Sequence, residues 1–152
     1  MGSRRADPGG HGSTAVALGD DQYRELLQFR TGLRQFLRWS EDQAAAAGLT
    51  GQQHQLLLAV RGHDGPDDPT VGDIAGHLLL RHHSAVELVD RAERAGLVHR
   101  YGDGEDRRLV RLQLTAKGHR VLDRLTAAHL EELSRLAPIR HRLAAAHRRG
   151  KP

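Results

Sequence analysis

The side chains best equipped for chemistry here are imidazoles and guanidiniums, and their spacing decides what chemistry is open to them. Eleven histidines suggest metal ligation. Zinc on a helix wants ligands at i and i+4, however, and no two histidines have that spacing. His82 and His83 are adjacent, so on a helix their rings diverge. Cysteine is absent, which removes thiolate metal sites, thiol nucleophiles and disulfides. No metal site and no cofactor is expected. The run Gly102-Asp103-Gly104-Glu105-Asp106 lacks EF-hand spacing, and no Lys-Ser or Lys-Thr follows it as in a P-loop. Without a Ser-His-Asp set or framed carboxylate pair, the chain is not expected to be an enzyme. What remains is arginine. Asp106-Arg107-Arg108 places a carboxylate two residues from a guanidinium, where a charge-assisted bond can aim it.

Such residues act only if a frame presents them. Residues 1–19 are rich in Gly, Ser and Arg without apolar periodicity, and read as a disordered arm. From Asp20, apolar side chains recur at threes and fours (Tyr23, Leu26, Leu27, Leu33, Phe36, Leu37), predicting a helix of roughly 27 residues. Asp20 and Asp21 favour its start and Gly48 its stop. Thr50 with Gln53, and Thr70 with Asp73, form two capping boxes that open further helices. The intervening GHDGPDDP run, residues 62–69, is a loop by its composition. Another helix follows over residues 83–95, with Leu88 and Ala92 inward beside Ala85 or Val89. The period then changes to two. Residues 97–101 and 108–114 predict a β-hairpin in which Val110, Leu112 and Leu114 share a face while Arg111 and Gln113 look outward. Thr115 caps a last long helix, which Pro138 is expected to break or restart before a short helix over residues 143–146.

Two short helices joined tightly and followed at once by a hairpin make a winged helix-turn-helix. A helix fits the major groove of DNA, while a thin hairpin reaches the minor groove beside it. Residues 83–95 would be the recognition helix and residues 97–114 the wing. Residues 88–118, LVDRAERAGLVHRYGDGEDRRLVRLQLTAKG, resemble the MarR family of bacterial transcriptional regulators. Leu88-Val89-Asp90-Arg91, Asp106-Arg107-Arg108, Leu114-Thr115-Ala116-Lys117-Gly118 and the earlier Gly48-Leu49-Thr50 carry the likeness, which extends over about residues 20–146. The expected fold is mainly α with a small β-hairpin wing, between N- and C-terminal dimerisation helices. The chain divides into an arm (1–19), a dimerisation helix (20–48), a DNA-binding lobe (49–115), C-terminal dimerisation helices (116–147) and a basic tail (148–152). The resemblance implies a homodimer that binds a pseudo-palindromic double-stranded operator, most simply a repressor released by a small ligand. The rival readings on the same fold are a ligand-independent architectural DNA binder and a protein-interaction module.

Within that frame Arg108 is expected to enter the minor groove, oriented by Asp106, with Arg107 on phosphate. Arg81, His82, His83, Ser84 and Glu87 are the candidate contacts of the recognition helix. They depart from the family's usual Ser or Thr and small polar residues, and Glu87 stands where Arg is common, so a different operator sequence is expected. The family's effectors are often small aromatic or phenolic anions, held between the dimerisation helices and the lobe. Trp39 with Arg38, His54 or Asp73 could line such a pocket here, although packing is the commoner use of a lone Trp. Trp39, Asp73 and Arg108 echo a Trp, Asp and Arg set in urate-responsive relatives.

No apolar run approaches 18 residues and no signal core opens the chain, so a cytoplasmic, nucleoid-associated bacterial protein without membrane contact is expected. Net charge is +4, and 21 of the 23 cations are Arg. Residues 138–152 hold five cations and no acid, leaving 18 cations against 19 acids elsewhere. Residues 49–80 carry one cation and four acids. Overall basicity therefore says little about DNA; individual arginines must carry that case.

Overall fold

The computed structural model describes residues 18–104, 106 and 108–149. Most of the expected N-terminal arm, Arg107, and residues 150–152 of the basic tail lie outside the described residues. Five helices and one hairpin follow in order: α1 (Asp20–Ala46), α2 (Gly51–Arg61), α3 (Val71–His77), α4 (His82–Arg94), β1 (Val98–Gly102), β2 (Val110–Leu114) and α5 (Ala116–Arg149).

Local chemistry sets most boundaries. Thr50 Oγ1 accepts from the Gln53 N–H at 3.1 Å while Gln53 Oε1 accepts from the Thr50 N–H at 2.9 Å. The Thr70–Asp73 box repeats this at 3.2 and 2.8 Å. α1, α3 and α4 all end in the same motif, in which the first residue past the cap bonds back three positions and the second bonds back five. Gly48 and Gly96 supply the left-handed residue for two of them, at φ 77° and 69°. In the third that residue is Leu79, at φ 53° and 93% exposed.

The strands pair antiparallel from Val98 opposite Leu114 to Gly102 opposite Val110. The second strand thus begins two residues later than expected, because Arg108 and Leu109 belong to the turn. Leu112 N–H donates to Pro69 O at 2.9 Å, and Thr70 bridges Arg111, so the α2–α3 loop borders β2 as a one-rung third strand. Leu56, Leu57, Ile74, Leu88, Val89, Leu97, Val98, Leu112 and Leu122 form the buried core of the lobe.

α5 runs unbroken through Pro138 for 34 residues, which corrects the expected break and separate short helix. Proline removes one helical bond and crowds the preceding turn. Here Leu136 and Ile139, on either side of it, close on Gly32 of α1. Arg142 Nε also lies 3.5 Å from Glu25 Oε2. Packing against α1 on both flanks holds the helix together.

Candidate nucleic-acid interface

α4 buries Ala85, Leu88, Val89 and Ala92. The opposite face leaves Arg81, His82, His83 and Glu87 exposed and Ser84 half-buried, with Arg91 and Arg94 exposed further along. The first turn of α4 carries no acid, and its cap residue Arg81 makes no side-chain bond to the helix. The helix therefore begins with uncapped N–H groups and two imidazoles, an arrangement favourable to anions.

The wing tip is built around Asp106. Its Oδ1 accepts from the Arg108 N–H at 2.9 Å and lies 3.5 Å from Arg108 Nε. Its carbonyl accepts from the Leu109 N–H at 2.9 Å. The Arg108 side chain, tethered at its base, remains 92% exposed. The expected pairing of Asp106 with Arg108 is thus present. His82 and Arg108 both line an open cleft of about 470 Å³ between α4 and the wing, with Thr70, Val86, Arg100 and Val110. The two elements, consecutive in the chain with three residues between them, thus face one gap, with Arg108 exposed at its edge.

The wing root uses its other two arginines internally. Arg100 donates to both Glu93 oxygens, through its N–H at 3.0 Å and NH1 at 2.6 Å, and to Asp90 Oδ1 at 2.5 Å. Burial alone would depress the Arg100 guanidinium, but its bonds to Asp90 and Glu93 outweigh that and hold it above its usual value. Arg111 donates to Asp103 Oδ2 at 2.5 Å, the Asp68 carbonyl at 2.9 Å and Asp67 Oδ2 at 3.2 Å. Its side chain is only 15% exposed. Arg111 and Gln113 lie away from the core, as the alternation implies; Gln113 is exposed, whereas the loop over residues 62–69 covers Arg111. The alternation places Arg111 on the outward face, but the bonds made by Arg111, Arg100, Tyr101 and Asp68 were not legible, because their partners are not adjacent to them in sequence.

At the far end of the lobe, Thr115 Oγ1 donates to Gly96 O at 2.6 Å and accepts from the Gly118 N–H at 3.0 Å. Lys117 Nζ donates to Ala95 O at 2.8 Å. A Cβ on Gly118 would be driven into the Leu97 carbonyl. The Leu-Thr-Ala-Lys-Gly run is thereby explained: it ties the end of α4, the start of β1 and the start of α5 together.

A second cluster lies where α1, α2 and α5 meet. The His129 ring sits between Trp39 and His54, with centroids 4.8 and 4.5 Å away, and Phe36 meets its edge at 5.8 Å. His129 Nδ1 faces the Leu125 carbonyl at 2.6 Å, which can only accept, so in the neutral ring Nε2 accepts from Ser40 Oγ at 2.7 Å. Burial, and then the neighbouring His129, lower the His54 pKa below its ordinary value. Trp39 and His54 are thus brought together through a histidine the sequence did not single out. Arg38 stays exposed on α1. Asp73 is committed to Thr70, whose backbone and hydroxyl bonds lower its pKa. Neither makes a bond to the His129 cluster. A third histidine contact, His63 Nδ1 to His77 Nε2 at 3.0 Å, is exposed. Among the described residues no group of three or more His, Asp or Glu is placed to hold a metal ion. No helix among them is long and apolar enough to cross a membrane.

A MarR family model matches residues 47–109, the span from the α1–α2 turn to the wing tip. An uncharacterized HTH-type transcriptional regulator of Bacillus subtilis, YsmB, is 33% identical over 66 residues, covering 43% of this chain and 45% of that protein. The HTH-type transcriptional regulator PecS of Dickeya dadantii is 28% identical over 83 residues, covering 55% and 50%. The matched stretch thus spans about half the length of these curated relatives. Among solved structures, a single-residue variant of Staphylococcus aureus MepR bound to an oligodeoxyribonucleotide superposes with a TM-score of 0.62 at 25% identity, covering 76% of this chain and 82% of that one. A MarR family protein from Bacillus stearothermophilus gives 0.66 at 25% identity, covering 79% and 82%.

Proposed function

We propose that this chain, whose winged lobe belongs to the MarR family, is a dimeric DNA-binding transcriptional regulator that catalyses no reaction. One observation carries the reading: α4 and the wing face a common cleft, with Arg108 at its rim, tethered by Asp106 and exposed. The lobe of residues 49–115 would seat α4 in the major groove, with Arg81, His82, His83, Ser84 and Glu87 over bases and phosphates. Arg108 would enter the adjoining minor groove, where narrow A·T-rich DNA concentrates negative potential, with Arg107 on phosphate. The helices of residues 20–48 and 116–147 would form the dimer. Exposed Tyr23, Leu26, Leu27, Leu33 and Leu37 on α1, with Leu130 and Leu133 on α5, support self-association. Two lobes then meet a pseudo-palindromic operator, with half-sites about 34–36 Å or a multiple apart.

The finer part of the reading is repression relieved by a small aromatic or phenolic ligand. Trp39 and His54, flanking His129 where the long helices meet the lobe, support a site there. Arg38 and Asp73 are its outer candidates. A ligand there acts by favouring a separation of the two α4 helices that no longer matches successive major grooves.

Arg108→Ala tests the DNA reading directly. On a duplex spanning the region upstream of the protein's own gene, it should weaken binding by about 1–3 kcal/mol and lower the salt slope by about 1. Unchanged affinity and slope would remove the wing from the interface. Equal affinity for random DNA would instead favour the architectural alternative.

A further inference from the structure

We propose that Asp68, together with Asp67 and Asp103, positions the wing for DNA by holding Arg111, Tyr101 and Gln113 on the hairpin's outer face. The proposal rests on the wing reading above. It also accounts for a feature that reading leaves unexplained, the acidic run beside a DNA-binding element.

Tyr101 and Arg111 stand opposite one another in the hairpin, and His99 stands opposite Gln113, so all four share the face turned from the core. Tyr101 Oη and Gln113 Nε2 each donate to Asp68 Oδ2 at 2.6 Å. Those bonds, with Arg111 nearby, hold the Asp68 carboxyl below its usual range. Arg111 spans the loop and the hairpin by bonding Asp67, the Asp68 carbonyl and Asp103 at once. From Asp103 the chain of contacts runs to the tip. Its N–H donates to Leu109 O at 3.0 Å, and its Oδ1 receives the Asp106 N–H at 3.4 Å. Asp106 in turn holds Arg108.

The inner face is fixed separately, since Arg100 ties β1 to Asp90 and Glu93 of α4. Arg100 sets the wing's distance from the recognition helix, and Asp68 sets its tilt against the α2–α3 loop. Both restraints matter because a two-stranded hairpin is marginal on its own. Strands of five residues are about 17 Å long, so a tilt of about 10° at the root displaces the tip by about 3 Å. That is as large as a hydrogen-bond length and enough to take Arg108 off a groove. Asp67 and Asp103 therefore neutralise Arg111, while Arg108 at the tip, held by Asp106, stays exposed.

The test is a double-mutant cycle on the full-length protein and the upstream duplex, with amide hydrogen exchange on the same variants. Asp68→Ala should reduce affinity about 5–10-fold when Arg108 is present and less than about twofold in the Arg108→Ala background. Exchange at Leu112 and Asp103 should quicken while Leu122 in α5 stays protected. Tyr101→Phe, which removes one bond to the same carboxylate, should show a smaller effect of the same pattern, and it serves if Asp68→Ala unfolds the lobe. Additive losses from Asp68→Ala and Arg108→Ala, or unchanged exchange in the wing, would overturn the proposal. If Arg108→Ala alone leaves affinity intact, the wing reading falls and takes this role with it. Faster exchange in Asp68→Ala would then mark the clasp as a stability element only.

Discussion

At Leu79 the chain adopts a left-handed conformation with a bulky side chain that is almost wholly exposed. Such a conformation costs a non-glycine residue about 1–2 kcal/mol, and glycine would give back about 0.5–1 of that in unfolded-state entropy. Leu79→Gly should therefore stabilise the fold by about 0.5–1 kcal/mol and raise its melting temperature by about 1–4 °C, measured by calorimetry. A lower melting temperature would mean that the leucine side chain makes contacts worth more than the strain. The sequence did not announce this turn, because left-handed caps are recognised by Gly or Asn. The two capping boxes were legible for the opposite reason: their partners lie three residues apart. His129 and Ser40 are 89 residues apart, and Arg111 lies 44 residues from Asp67, so only the fold could pair them.

Among the elements, the hairpin and the helices were readable from periodicity, whereas the joints between them were not. α5 continues across Pro138 where Leu136 and Ile139 pack over Gly32 of α1, a contact that local rules at Pro138 cannot see. The junction of α4, β1 and α5 is similar: its motif was recognised by resemblance, and its physical reason emerges only from the packing. Gly118→Ala puts two effects in opposition there. Helix propensity favours alanine by about 1 kcal/mol. The collision with the Leu97 carbonyl involves backbone on both sides and should cost about 2–4 kcal/mol. A net loss of about 1–3 kcal/mol is expected from the shift in urea midpoint. A gain in stability would show that the helix start can move away from β1 freely.

For the whole molecule, net charge proved a poor guide. Part of the C-terminal basicity lies on α5, where Arg142 faces Glu25, and Asp67 and Asp68 of the α2–α3 loop bond to the wing. The His54–His129 contact, joining both long helices to the lobe, predicts a dependence on pH instead. The folded-state pKa of His54 lies below its unfolded value near 6.5, so the folded state binds fewer protons. Its contribution to stability is complete above about pH 6.5 and is lost as pH falls through the lowered folded value. Urea midpoints at pH 7.5 and 5.5 should drop more for the native protein than for His54→Gln. Equal drops would assign the effect to the other histidines.

The bonds from Thr115 and Lys117 to the end of α4 have a mechanical consequence. They fasten the C-terminal end of α4 to the first turn of α5, so those two ends are expected to move together. On the opposite side of the lobe, four residues separate α1 from α2, and Gly48 supplies the bend there. In the proposed dimer, a displacement of α5 would therefore be carried to α4 more directly than a displacement of α1 would be carried to α2.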